Sequence, residues 1–271
     1  MPQADHNASV WSAGRYVADY DNRQLLPAEV LILVRHREAL SGRVLDVGCG
    51  AGRLLGYLVA LGADVHGVDI SPRMVEHCRL RYPAAEVCVG DLADLATAVA
   101  GPFDAVIMSD NVLDVFDDAG RRNVLADVHR LLAPGGLAIF SAHNLAYRDA
   151  TPAAQGGGGG RPEMLAALAA LADRSPAWML RAVRRLPRRR ANRRRLAAQQ
   201  YRAADHAVVN DSAHDYGLLH YYIRRADQER QLAEAGLALR ATLELDGSPV
   251  GPDRDGHGPS LYYVAARASA R

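Results

Sequence analysis

Three carboxylates fall where three successive apolar runs end: Asp46 within Arg43-Val44-Leu45-Asp46-Val47, Asp69 nineteen residues after Gly50, and Asp91 in Val89-Gly90-Asp91-Leu92. The first run leads straight into Gly48-Cys49-Gly50-Ala51-Gly52-Arg53. A strand that enters Gly-x-Gly-x-Gly turns sharply, and the missing Cβ atoms let a ligand lie against the backbone. Such a turn also serves nicotinamide dinucleotides, but a carboxylate at Asp46 repels a pyrophosphate and suits an ammonium group. Asp69 is placed to accept hydrogen bonds from both hydroxyls of a ribose, and Asp91 to reach the amino group of an adenine. A ligand with an ammonium, a ribose and an adenine and without phosphate is S-adenosylmethionine. A nicotinamide-binding site is the runner-up, disfavoured by Asp46 and by the glycine spacing.

A second group of residues suits acid–base work. Asp110, Asn111 and Asp114 follow the fourth apolar run, and His143 and Asn144 follow the fifth. His143 is the first choice for a general base because an imidazole titrates near neutral pH; it reads equally well as a histidine that fixes a loop. His214 and His220 are the next candidates, within Asn210-Asp211-Ser212-Ala213-His214-Asp215-Tyr216 and His220-Tyr221-Tyr222. Asn111, Asp114, Asn144, Tyr221 and Tyr222 are the candidate acceptor contacts. Polar aromatics in such numbers suit a hydroxylated small molecule, although Tyr221 and Tyr222 equally suit simple packing.

These residues need a scaffold that brings strand ends together. Arg43–Val47, Asp64–Val68, Glu86–Val89, Phe103–Met108 and Leu137–Ser141 read as short buried strands, separated by helices at 52–61, 72–81 and 119–132. Strand–helix alternation of this kind predicts a parallel sheet covered on both faces, with ligands beyond the carboxyl ends of the strands. A helix near Asp227–Ala235 and two stretches, Ala238–Leu245 and Leu261–Ala266, complete the pattern as a terminal hairpin. The predicted architecture is a Rossmann-like, doubly wound α/β sheet of seven strands with an antiparallel terminal strand. A helical cap precedes it at 1–42, the binding domain comprises 43–142 and 226–271, and a helical insertion at 143–225 forms a substrate lid. The five glycines Gly156 to Gly160 in that insertion read as a flexible link.

The glycine turn and its three acids resemble the class I S-adenosylmethionine-dependent methyltransferases, closely over 43–142 and in layout over 226–268. The resemblance implies that Asp46, Gly48, Cys49, Gly50 and Arg53 form the first cofactor motif, with Asp69 the ribose acid and Asp91 the adenine-side acid. It further implies Ile70 and Met74 beside the adenine, Leu92 and Ser109 beside the nucleoside and methionine portions, and Tyr16 or Tyr20 reaching the methionine carboxylate from an N-terminal cap. The implied reaction is methyl transfer, with oxygen of a small secondary metabolite or glycan-like acceptor the favoured nucleophile. An RNA methyltransferase and a non-catalytic S-adenosylmethionine-binding protein remain the alternatives.

Composition narrows the partners. The net charge is +1 and the charged content 23%, so a polyanion partner has only local support. That support is twelve arginines at 161–205 against Glu163, Asp173 and Asp205. Without a recognisable RNA-binding module, nucleic acid is disfavoured. The apolar residues Trp178, Met179, Leu180, Val183 and Leu186 permit peripheral membrane contact, and a solvated helix face explains the same run. Cys49, Cys78 and Cys88 have neither metal-like nor redox-like spacing. No metal is expected, and the location expected is a reducing cytoplasm. No signal peptide is visible at the N-terminus. The sequence leaves the oligomeric state open.

Overall fold

A computed structural model describes residues 3–11, 24–150 and 176–268. Tyr16, Tyr20 and the glycine run at 156–160 lie outside them. The described chain begins with α1 (Gln3–Trp11), α2 (Pro27–Arg35) and α3 (Arg37–Leu40). There follow β1 (Arg43–Val47), α4 (Leu55–Ala60), β2 (Asp64–Asp69), α5 (Pro72–Arg81), β3 (Glu86–Val89) and α6 (Leu95–Ala98). Next come β4 (Phe103–Met108), α7 (Asp118–Leu131), β5 (Leu132–Asn144), α8 (Leu145–Ala150) and α9 (Pro176–Leu196). The chain ends with β6 (Tyr201–Arg202), β7 (His206–Val209), β8 (His220–Ile223), α10 (Arg225–Glu234), β9 (Leu237–Glu244) and β10 (Ser260–Arg267). None of the described helices is long and apolar enough to cross a membrane.

One sheet runs β3-β2-β1-β4-β5-β8-β7-β6, with β10 antiparallel to β5 and β9 antiparallel to β10. The first five strands are parallel, as their apolar runs predict, and the sheet reverses direction of growth between β1 and β4. In open α/β sheets that switch point is where ligands bind. Both faces are packed. Val44, Ile107, Ile139, Tyr262 and α2's Ile32 share one core, while Leu45, Val106, Phe140, Tyr263 and α7's Val128 share the other.

The strand count departs from the seven predicted, because among the described residues ten strands form the sheet. The extra three, β6 to β8, lie in the insertion read as helical. His220-Tyr221-Tyr222-Ile223 is buried on both faces, so it lacks the alternation of a half-exposed strand, and its aromatics suggest recognition rather than a ladder. β5 also begins five residues earlier than its apolar run and continues to Asn144. At its far end the sheet forks. β10 pairs with β5 from Leu137 to His143, and β8 takes over at His143 and Asn144.

The first helix is held by buried polar side chains, whereas α2 and α3 bury Ala28, Ile32 and Leu40 in the core. In α1, the Asn7 amide donates to the carbonyls of Val115 (2.8 Å) and Leu219 (2.7 Å) and accepts from the Leu219 N–H at 3.2 Å. Gln3 donates to the carbonyls of Asp114 and Leu219, and His6 Nε2 lies 2.8 Å from the Gly217 carbonyl. Amides that satisfy backbone groups in this way leave few buried polar atoms uncompensated.

Candidate functional site

A cavity of about 320 Å³ opens at the carboxyl ends of β1 to β5. The chain distributes its chemistry across it by strand order. Asp46, Asp69 and Asp91 come from the β1, β2 and β3 ends, Ser109 and Asn111 from the β4 end, and His143 from the β5 end. Gly48, Cys49, Gly50, Arg53, Ile70, Met74, Leu92, His214 and His220 complete the sequence-derived residues that line it.

The glycine turn is left-handed at Gly48 (φ 67°) and Gly50 (φ 55°). A Cβ on Gly48 would strike the Val112 methyls at 2.8 Å, whereas one on Gly50 would project into open space. Gly50 therefore leaves backbone bare to the cavity. Asp69 braces this turn, accepting from the Gly50 N–H at 2.9 Å and from the Ser71 N–H at 2.8 Å. Burial raises the Asp69 carboxyl against the opposing pull of those two bonds. Asp91 accepts from the Ala93 N–H at 2.9 Å.

Asp46 is 2% exposed. Burial pushes its carboxyl up to about 7, with Arg53 opposing and Asp69 and Glu29 adding to the rise. A buried acid of this kind is short of positive charge. Arg53 does not supply it fully, because its guanidinium is forked onto both Glu29 oxygens and also donates to Ser109 Oγ at 3.2 Å. Glu29, from α2, in turn accepts from the Tyr262 hydroxyl and from the Leu26 N–H. This hub escaped the sequence reading, since a single acid in Pro27-Ala28-Glu29-Val30-Leu31-Ile32 looks like a solvated helix position.

The residues present fit S-adenosylmethionine. Three acids face one cavity, Gly50 leaves a cradle that a Cβ would fill, and the buried Ser71 Oγ on the same wall has no hydrogen-bond partner.

At the other end, His143 stands where the sheet forks. Its Nδ1 lies 2.7 Å from Asp114 Oδ2, and its backbone N–H donates to the same oxygen at 2.6 Å. With that nitrogen tied to a carboxylate, Nε2 carries the lone pair, approached by the Asn111 amide nitrogen at 3.3 Å. Asp114 is fully buried and ion-paired to Arg121. Arg121, also fully buried, reaches Gln228 and lies 4.5 Å over the Tyr221 ring. Beside His143, with ring centroids 5.0 Å apart, is His220. Its Nδ1 lies 2.7 Å from Asp211 Oδ2, which also accepts from the Tyr222 hydroxyl at 2.9 Å. Burial pulls the His220 imidazole down, but the Asp211 charge and hydrogen bond outweigh it and the net shift is upward.

Four candidate acceptor contacts do not line the cavity. Asp114 is the buried anchor of His143. Asn144 donates to the Asp255 and Gly258 carbonyls and fixes the loop before β10. Tyr221 is fully buried and donates to Asp118 at 2.7 Å, and Tyr222 packs 4.7 Å from the His143 ring. Two adjacent strand residues point to opposite faces, and here both faces are core. Of that group only Asn111 meets the cavity. Residues not foreseen as contacts, Ala4, Asp5 and Ala8 of α1, close one side together with Trp11. Trp11 stands edge-on to His214, with centroids 4.6 Å apart. His214, Asp215 and Tyr216 are all left-handed (φ 49°, 59° and 60°). The described part of the arginine run holds this turn. Arg189 lies 3.4 Å from Asp215, and Arg193 lies 4.9 Å over the Tyr216 ring.

A doubly wound sheet with this acid series defines a class of protein. Residues 44–136, about a third of the chain, match the family described as a methyltransferase domain. A ubiquinone biosynthesis O-methyltransferase of Xanthomonas axonopodis pv. citri is 34% identical over 124 residues, 44% of this chain and 51% of that protein. The chain thus spans about half the length of the curated relatives it matches. Among solved structures, the CcbJ methyltransferase from Streptomyces caelestis aligns with a TM-score of 0.57 at 17% identity, over 100% of this chain and 99% of that one. The Burkholderia thailandensis 1,6-didemethyltoxoflavin-N1-methyltransferase, solved with bound 1,6-didemethyltoxoflavin and S-adenosylhomocysteine, aligns at 0.56 with 14% identity, over 98% of this chain and 87% of that one. At these identities the structural likeness speaks for the fold alone.

Proposed function

We propose that this chain transfers a methyl group from S-adenosylmethionine to a hydroxyl oxygen of a small acceptor, with His143 taking the proton. The observation that carries the reading is the layout of one cavity, with three strand-end acids at one side and a carboxylate-locked imidazole at the other. When bound, S-adenosylmethionine supplies a sulfonium methyl group for in-line displacement, so the chain's main task is alignment. Asp69 and Asp91 orient the nucleoside, and Asp46 offers negative charge to the cationic end. Asp114 holds His143 so that Nε2 faces the acceptor. The sequence relatives, named as O-methyltransferases, support oxygen as the nucleophile. Three free cysteines are in keeping with a cytoplasmic location. The test is release of S-adenosylhomocysteine over a panel of phenols, sugars and hydroxylated metabolites, with methyl ether products identified by mass spectrometry. Binding without turnover across the panel, or products methylated only on nitrogen, would refute the oxygen-transfer reading.

Two expected outcomes follow for the cofactor half. Asp69→Ala should weaken S-adenosylmethionine binding by about 1.5–3 kcal/mol, the worth of charge-assisted hydrogen bonds. Calorimetry decides it, and wild-type affinity in the variant sinks the ribose role. The second outcome concerns Asp46. Its raised carboxyl is largely protonated below pH 7 in the free protein, and a cation beside it favours the ionised form. Binding therefore expels a proton, and affinity should rise with pH up to about 7, by as much as tenfold per unit. Calorimetry from pH 5.5 to 7 in buffers of different ionisation enthalpy reads both the slope and the proton. Asp46→Asn should flatten the profile; a wild-type profile already flat would remove the cation-binding role.

A further inference from the structure

We propose that His143, His220 and Asp211 form a binding site for one divalent ion of the zinc type at the acceptor end of the cavity. One ring nitrogen of each histidine and one Asp211 oxygen all lie within 4.8 Å of one another. His220 Nδ1 and Asp211 Oδ2, 2.7 Å apart, would hold the ion between them in place of a proton, and His143 is backed on Nδ1 by Asp114 at 2.7 Å. Metal-binding histidines are oriented by such carboxylate partners on the far nitrogen.

The ring spacing agrees. An ion about 2.1 Å from a ring nitrogen stands roughly 3.2 Å from the ring centroid. Two such rings with centroids 5.0 Å apart subtend about 100° at the ion, close to the tetrahedral angle zinc adopts. Asn111 would supply a further donor on turning its amide over, since its nitrogen now lies 3.3 Å from His143 Nε2 and its buried oxygen has no hydrogen-bond partner. Charge points the same way. Asp211 brings a carboxylate charge to the ion, and Asp110 lines the same cavity. Imidazole with carboxylate suits zinc or cobalt, whereas magnesium prefers oxygen ligands alone.

The ion would occupy the His143 lone pair, which the acceptor's proton needs. Loading should therefore hold the protein in an inactive form that a chelator releases. This consequence rests on the proton-accepting role proposed for His143; the binding itself does not.

The test uses the full chain after dialysis against chelator, titrated with Co²⁺ as the probe. Expected are visible d–d bands that saturate at one equivalent, displacement by Zn²⁺, and paramagnetic broadening of the His143 and His220 ring signals. His143→Ala and His220→Ala should each weaken cobalt binding at least tenfold, and Asp114→Asn about 10–100-fold through the lost carboxylate support. S-adenosylmethionine calorimetry on each variant reports whether it is folded. One equivalent of Zn²⁺ should abolish methyl transfer. No saturable bands in the wild type, or bands with His143 and His220 signals unaffected, would overturn the site. If the ion binds and transfer accelerates, the site stands and His143 is not the proton acceptor.

Discussion

His143→Ala is expected to lower kcat by about 10²–10⁴-fold, the usual worth of a positioned general base, while S-adenosylmethionine affinity changes little. The size follows from how firmly the ring is set. Asp114 Oδ2 takes both the backbone N–H and Nδ1 of His143, which fixes tautomer and orientation together and exposes Nε2 to the cavity. The cofactor side should be indifferent, because its acids lie at the β1 to β3 ends while His143 lies beyond β4 on β5. Steady-state release of S-adenosylhomocysteine gives kcat, and calorimetry gives the affinity. A variant that keeps most of its turnover makes His143 a structural residue and moves the question to His220, then to His214. An acceptor methylated on a carboxylate, already nucleophilic at neutral pH, would leave alignment as the chain's contribution.

The largest loss of stability is expected one layer below. Arg121 and Asp114 are both fully buried, and Arg121→Met leaves the Asp114 charge without its partner. Breaking one side of such a pair costs about 3–5 kcal/mol, because the remaining charge stays desolvated. Gln228 and Gln231 would lose their contacts to the guanidinium as well. Urea unfolding should show the midpoint falling steeply, with His143 losing its orientation in the surviving folded protein. Adding Asp114→Leu should recover part of the stability, since the double variant buries no charge. A single variant that loses under about 1 kcal/mol would mean that solvent or another cation reaches Asp114.

What the sequence made legible follows the physics of local patterns. β1, β3 and β4 begin and end where their apolar runs do, because a parallel strand covered on both faces needs no long-range information to look like one. Asp46, Asp69 and Asp91 were legible for the same reason, as polar exceptions at strand ends. β5 was underread because Pro134-Gly135-Gly136 resembles a turn, yet Leu132 and Leu137 both find partners on β4. β8 was read as a recognition segment, since only contact with β5 and β7 turns His220 to Ile223 into a ladder. The Glu29–Tyr262 hydrogen bond joins residues 233 apart, and no spacing rule anticipates it. His220 was a candidate by residue type alone; its pairing with Asp211 and its closeness to His143 exist only in three dimensions.

The amides of α1 bear on the birth of the chain as well as on its finished form. Asn7 hydrogen-bonds a residue 212 positions away, and ribosomes add about 5–20 residues per second. The first helix made therefore waits roughly 10–40 s for the loop at 217–219 that receives it. Until then Asn7 and Gln3 have only the Val115 and Asp114 carbonyls of their final protein partners, His6 lacks the Gly217 carbonyl, and the wall formed by Ala4, Ala8 and Trp11 is only half anchored. A nascent or truncated product that stops short of Leu219 would present the binding crevice loosely capped, open to cofactor and to chaperones alike, however well its first five strands had paired.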